Sequence, residues 1–317
     1  MNRILAILSA VLCVMTALCS CSAKKETNDP SSLQIVCTIF PQYDFAKAVA
    51  GNRAEVVMLV PAGSEVHGYE PTMSDLKRIH ECDLFLYCSG ESESWVTDIL
   101  SSVDCESLDI HTGVDLYEEE DPSDAIPDES EEHDHEHEDE VAYDEHVWTS
   151  PVNAIQIVQN IAQALSRVDP QNRDEYQANA ASYIEQLEEL DQSFREAFDR
   201  TNNPVLIVAD RFPFRYLTEE YGVEYYAAFN GCSSKTEPTL ATLNFLIKKV
   251  QEKKVSTVFY IEMSDRKTAD ILCAQTGCNK RMLHSCQNVT KEEFESGVTY
   301  LQLMQGNAQA LKEAFCP

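Results

Sequence analysis

From residue 33 onward, apolar residues arrive in short β-branched runs separated by stretches with three- to four-residue periodicity. LQIVCTIF (33–40), AEVVMLV (54–60) and CDLFLYC (82–88) have the length and Val/Ile/Phe content of strands, and the segments 43–50, 72–80 and 94–101 read as helices. A second series opens with VLIVA (205–209) and continues with strands at 223–229, 255–261 and 281–284, with helices at 214–221, 239–252, 264–275 and 291–315. Strands alternating with helices predict parallel sheets with helices on their faces. Between the two series, Pro151 opens a helix over 152–167, and Asp169-Pro170 separates it from a longer one over about 172–199. In that longer helix Tyr176, Ala180, Tyr183, Leu187, Leu190, Phe194 and Phe198 recur at helical spacing, a stripe that reads as core packing. About 28 residues at 1.5 Å rise reach about 40 Å, enough for a strut. The expected fold is α/β, with two α/β lobes joined by one long rigid helix and a ligand site in the cleft, at the carboxyl ends of the strands. The corresponding division is 33–170 for the N-terminal lobe, 171–200 for the linking helix and 201–317 for the C-terminal lobe.

The first 32 residues follow a different pattern. Arg3 precedes an apolar run, 4–18, too short and wrongly flanked for a stable spanning helix. The run ends in Leu18-Cys19-Ser20-Cys21, which resembles a bacterial lipoprotein signal: residues 1–20 removed, Cys21 lipidated, and polar residues 21–32 a tether. An ordinary secretory signal fits the apolar run alone equally well. No later stretch is long and apolar enough to span a bilayer.

Net charge changes the picture further. At −30 over 317 residues, the chain lacks the clustered Lys and Arg that nucleic acid requires, and it permits cations as ligands. Much of the acidity is one segment, 118–145, with 16 acidic residues and no Lys or Arg. Without an apolar period it cannot bury enough surface to order itself, and it reads as a mobile loop inserted in the first lobe. Of twelve cysteines, Cys13 and Cys19 leave with the signal and Cys21 carries lipid; the remaining nine hold no CxxC pair, so thiolate zinc binding is not signalled. Cys273 and Cys278 are spaced to pair across a helix end, although spacing alone never fixes connectivity.

Five stretches concentrate metal-ligating residue types at strand ends or helix starts: 60–75 with Glu65 and His67, 144–153 with His146, 209–217 with Asp210 and Arg211, 261–265 with Glu262, and 283–286 with His284. Neutral imidazole is the commonest protein ligand for zinc-like metals. A lone loop histidine is nevertheless more often solvated than ligating, so the case rests on the motifs together.

Two of those motifs, His-x-Tyr-Glu-Pro-Thr-x-x-Asp (67–75) and Asp-x-His-x-Trp-x-Ser-Pro-x-Asn (144–153), resemble in order and separation the zinc and manganese solute-binding proteins of ABC importers. Asp169-Pro170, Asn172, Tyr176, Asn179 and Ala180 follow the same family's spacing at the start of the long helix. The resemblance implies that each lobe contributes two ligands to a metal in the cleft. His67 and His146 match the two first-lobe histidines. The second lobe departs: aligning the family's aromatic-Gly-Tyr turn on Phe214-Arg215-Tyr216 puts Arg211 where a His or Glu is usual, and a guanidinium cannot bind a cation. Asp210, one place earlier, is the substitute, with a salt bridge to Arg211 or Arg215 the alternative. His284 falls at or close to the family's last acidic ligand. The expected set is His67, His146, His284 and Asp210, with Glu262 and Glu65 in reserve; Glu262 could equally cap the following helix. His133, His135 and His137 in the acidic segment resemble the family's His-rich insert, an auxiliary metal trap or else a merely solubilising loop.

Three imidazoles and a carboxylate suit zinc; an added Glu262 would shift the balance to manganese. The resemblance implies an ABC permease as partner, a lipid-anchored extracytoplasmic location at the cell surface or in the periplasm, and a monomer. The chain shows no His-Glu-x-x-His helix, no Gly-x-Ser-x-Gly elbow and no phosphate loop, so no enzyme is expected. A metal-dependent hydrolase using Glu65 or Glu262 as base, a siderophore- or haem-type cargo facing Arg211, Arg215, Tyr225 and Tyr226, and an adhesive surface role are the competing readings.

Overall fold

The computed structural model describes residues 32–120, 142–231 and 237–315. The signal, Cys21 and the three histidines of the acidic segment lie outside the described residues.

The first lobe is a parallel sheet of β1 (Leu33–Cys37), β2 (Ala54–Met58), β3 (Leu84–Tyr87) and β4 (Glu106–Asp109), in the order β2-β1-β3-β4. Val36 of the central strand lies between Val57 and Phe85. Its helices are α1 (Phe40–Ala50), α2 (Met73–Glu81) and α3 (Ser94–Leu100). Helix α1 begins earlier than the sequence predicts because Pro41 sits in its first turn, where a missing N–H goes unnoticed, and the Gln42 side chain accepts from the amides of Thr38 (2.9 Å) and Ile39 (3.2 Å). Thr72 caps α2 in a box with Asp75. Strand β4, ESLD, escapes a sequence reading: it is an edge strand whose one apolar side chain, Leu108, faces the core.

Two helices connect the lobes: α4 (Pro151–Val168) and, after a single 3₁₀ turn, α5 (Arg173–Phe198). All seven residues of the sequence stripe on α5 are buried. The helix is therefore core as well as strut. It packs against α1, α4 and the last helix, and one continuous apolar core runs from Ile35 and Phe45 through Tyr183 and Leu190 to Leu206, Leu217 and Leu311.

The second lobe is a parallel sheet ordered β6-β5-β7-β8, from β5 (Val205–Phe212), β6 (Glu224–Asn230), β7 (Thr257–Tyr260) and β8 (Asn279–Met282), with α6 (Arg215–Tyr221), α7 (Leu240–Lys253) and α8 (Lys267–Thr276). Three features differ from the sequence reading. Strand β5 runs three residues further, with a register shift between Val208 and Arg211 that places Asp210 and Arg211 on a bulged strand end. Strand β8 forms earlier and from polar residues, so His284 lies beyond it. The predicted 291–315 helix is two, α9 (Lys291–Ser296) and α10 (Tyr300–Phe315), separated at Gly297, whose φ of 75° ends α9 in the left-handed region.

Candidate metal centre

The loop leaving β2 carries His67, and the segment entering α4 carries His146; the structure brings their rings together with centroids 6.4 Å apart. The Nε2 atom of each is buried and has no hydrogen-bond partner among the described residues. His146 is wholly buried. Asp144 Oδ1 accepts from its backbone amide (2.8 Å) and lies 3.0 Å from its Nδ1. A carboxylate at Nδ1 holds the ring proton there and leaves the Nε2 lone pair facing the cleft, the usual arrangement for a metal-bound histidine. Burial opposes charge on His146, but Asp144 outweighs it and holds the imidazole above its ordinary value. His67 is shifted the other way, by burial and by the neighbouring His146. Two adjacent imidazoles that resist joint protonation at near-neutral pH are suited to a cation other than a proton.

Packing keeps this pair in register. Gly231, at the end of β6, leaves room for His146: a Cβ there would lie 3.0 Å from the ring Cε1 and 3.2 Å from the Phe212 carbonyl. Trp148 stacks edge-on to His146 and donates through Nε1 to the Ser285 carbonyl (2.8 Å) in the second lobe. Asn288 donates to the carbonyls of Pro61 (3.0 Å) and Ser64 (2.9 Å), fixing the loop that leads to His67.

A small cavity next to the pair is lined by Glu65, Arg211, Gly231, Glu262, Ser285 and Gln287, among others. Arg211 spans it to Glu65 through two hydrogen bonds, 3.1 and 3.3 Å. Glu262 accepts from the Ser285 amide (2.7 Å) and hydroxyl. Of the expected ligands, the reserves Glu65 and Glu262 line this cavity, and His67, His146, His284 and Asp210 lie outside its lining. His284 Nδ1 accepts the Cys286 amide (2.9 Å), in a tight turn made by the positive φ of Cys286, and its Nε2, like those of the pair, is buried without a hydrogen-bond partner among the described residues, 3.9 Å from Glu293. Asp210 accepts the Arg211 amide (2.9 Å) and bonds Ser264, and burial raises its carboxyl above the usual range. Four converging ligands are accordingly not found: no group of three or more His, Cys, Asp or Glu is placed to hold a metal among the described residues. The sequence reading did not single out Asp144, Gly231 or Gln287. Asp144 was legible in the Asp-x-His spacing; the other two carried no signal.

Two parallel-sheet lobes around a long helix, with paired imidazoles turned into the cleft, make a two-lobed solute-binding protein. The chain belongs to the family of the zinc-uptake complex component A, periplasmic, whose model matches residues 35–314. It is 32% identical over 315 residues to the zinc-binding lipoprotein AdcA of Streptococcus pneumoniae, covering 98% of this chain and 60% of that protein. The chain therefore spans about three-fifths of the first curated relatives' length. It is also 32% identical over 310 residues to the high-affinity zinc uptake system protein ZnuA of Bacillus subtilis, covering 95% and 94% of the two chains. Among solved structures, the Zn(II)-bound ZnuA-like domain of Streptococcus pneumoniae AdcA superposes with a TM-score of 0.74 at 29% identity, covering 90% of this chain and all of that one. The metal-dependent lipoprotein YcdH from Bacillus subtilis gives 0.75 at 30% identity, covering 89% and 99%.

Proposed function

We propose that the chain captures zinc outside the cell membrane and delivers it to the permease of an ABC importer. The observation that carries this reading is the His67–His146 pair, two buried Nε2 atoms without partners, one of them aimed by Asp144. Zinc–nitrogen bonds are about 2.0–2.1 Å long, so an ion held by both rings would require His67, the half-buried loop member, to approach His146 from the present centroid separation of 6.4 Å. Glu65 or Glu262 at the cavity wall supplies carboxylate; His284 and Asp210 reach the ion only after rearrangement. Imidazole-dominated binding favours zinc over manganese, in keeping with the relatives named for zinc. The protein acts as a monomeric binding protein, tethered through lipid on Cys21. The acidic segment with His133, His135 and His137 serves as an auxiliary trap: Glu119 donates to the Ala142 carbonyl (2.9 Å) and Asp144 to that of Tyr117 (2.9 Å), so the base of this segment lies beside the site.

The test is competition titration of the purified chain with zinc and manganese, beside His67→Ala and His146→Ala. Each variant should weaken zinc binding at least about 100-fold, the loss of one ligand from a tight site. Wild-type affinity in both would overturn the site and the function built on it.

A further inference from the structure

The cavity beside the two imidazoles carries two donors, Arg211 and Gln287, as well as the carboxylates of Glu65 and Glu262. Arg211 projects a permanent positive charge into the cavity where a cation is to be held. Only two of its five N–H donors are used on Glu65. Gln287, on the same wall, has a buried Nε2 with no partner among the described residues. Glu65 is committed to Arg211 and Glu262 to Ser285, so a bare dication beside His67 and His146 would have to draw a carboxylate from its partner and would leave the Gln287 amide unsatisfied. A metal ion that brings its own anionic ligand answers both sides, its open coordination positions meeting the imidazoles and its carboxylate meeting the guanidinium and amide. We infer that the cargo is a metal–carboxylate complex, with His67 and His146 binding the metal and Arg211 and Gln287 binding the carboxylate. This inference rests on the zinc reading above. No covalent bond is made or broken; metal-bound waters are exchanged for imidazole.

Native mass spectrometry of the chain with zinc, and with zinc plus excess glycinate, tests it. Wild type should carry zinc and glycinate together, and its apparent zinc affinity at fixed free zinc should rise about tenfold when glycinate is added, the worth of one charge-assisted bidentate contact. Arg211→Gln should lose the ternary mass and the enhancement, and bind zinc alone more tightly because a cation has been removed. Wild type that carries zinc but never glycinate overturns the chelate inference and leaves zinc capture standing. A chain that takes up zinc under neither condition overturns both.

A second, independent observation concerns thiols. The Sγ atoms of Cys82 and Cys105 lie 3.4 Å apart and those of Cys273 and Cys278 3.6 Å apart. Each pair stands at the entrance to the edge strand of its sheet, β4 or β8. Cys105, Cys273 and Cys278 are partly exposed, so an oxidant reaches at least one thiol of each pair. The geometry points to two disulfides formed on export, each closing to about 2.05 Å. With oxidised glutathione, each pair loses two protons and two electrons to become one disulfide, and the glutathione disulfide becomes two thiols. After such treatment and alkylation, peptide mapping should show a Cys82–Cys105 link and an internal Cys273–Cys278 link, with Cys37 and Cys286 alkylated as free thiols after unfolding. Two alkylated thiols at either pair would overturn that disulfide.

Discussion

In the proposed site, Asp144 decides how His146 would meet a metal. Because its carboxylate engages both the amide and Nδ1, it fixes ring orientation and tautomer together. Asp144→Asn should lower zinc affinity about 10- to 100-fold, as loss of a ligand-orienting partner does, without loss of helix content by circular dichroism; affinity within threefold of wild type would remove Asp144 from the site. The same carboxylate sets the pH response. His146 is held above the ordinary histidine value, so a proton competes with zinc at that ring already above pH of about 6.5, while His67, held below it, offers no competition until lower pH. Zinc affinity should therefore fall on acidification, with the onset moved to lower pH in Asp144→Asn; titrations between pH 5 and 8 read both. Steric room matters equally. Gly231→Ala would place a methyl against the His146 ring and the immovable Phe212 carbonyl. It should weaken zinc binding about tenfold or more and lower thermal stability as well, since the Phe212 carbonyl cannot turn aside as the ring can.

Between elements, a buried carboxyl ties the ends of β1 and β3. Glu93 is bonded by the Thr38 hydroxyl (2.6 Å) and the Cys88 amide (2.9 Å), and Thr38 in turn bonds Gln42 at the start of α1. Burial raises Glu93 to about 8, so the folded protein keeps it protonated at neutral pH. A carboxyl whose folded value lies above its unfolded one gives stability that is complete below the unfolded value, near 4.5, and is lost as pH rises through about 8. The slope is at most about 1.4 kcal/mol per pH unit. Glu93→Gln reproduces the protonated acid, donating to Thr38 and accepting from Cys88. It should match wild type near pH 5 and exceed it in melting temperature at pH 8.5; parallel pH profiles would show that Glu93 is ionised in the fold. At this scale the sequence was legible wherever burial wrote a period into it: β1, β2, β3 and β5, and every residue of the α5 stripe. It was silent where partners distant in sequence decide. Strand β4 is polar, the β5 bulge depends on pairing with β6, and His284 is committed by Cys286 and Asn307 rather than by its position after a strand. The histidine pair was legible because each member sits in a local motif, whereas second-lobe ligands were inferred by alignment onto a chain that has changed there.

At the scale of the molecule, the two lobes share more than a linker. Helix α5 feeds side chains into a single core reaching both sheets, while Asn288, Trp148 and the Arg211–Glu65 pair bind the lobes at the mouth of the cleft. Such an assembly cannot swing as two bodies on a free hinge, because rotation would tear a packed interface with the density of a protein interior. On the proposed function, opening for cargo is expected in the loops around His67, where the Asn288 contacts and the Arg211–Glu65 pair would release, with the sheets standing still. Leu187 provides the test, being fully buried near the middle of α5. Leu187→Ala should cost about 2–5 kcal/mol. If the core is continuous, that loss appears equally in the hydrogen-exchange protection of Leu86 in the first sheet and Leu206 in the second, both members of that core, because both exchange through one cooperative unfolding. Protection lost in one sheet alone would show two separately stable lobes, and the cleft would then close by hinge motion after all. Zinc saturation separates the same alternatives: loop closure raises protection around 61–69 and leaves the two sheets' relative protection unchanged, whereas hinge closure raises it along α5 as well.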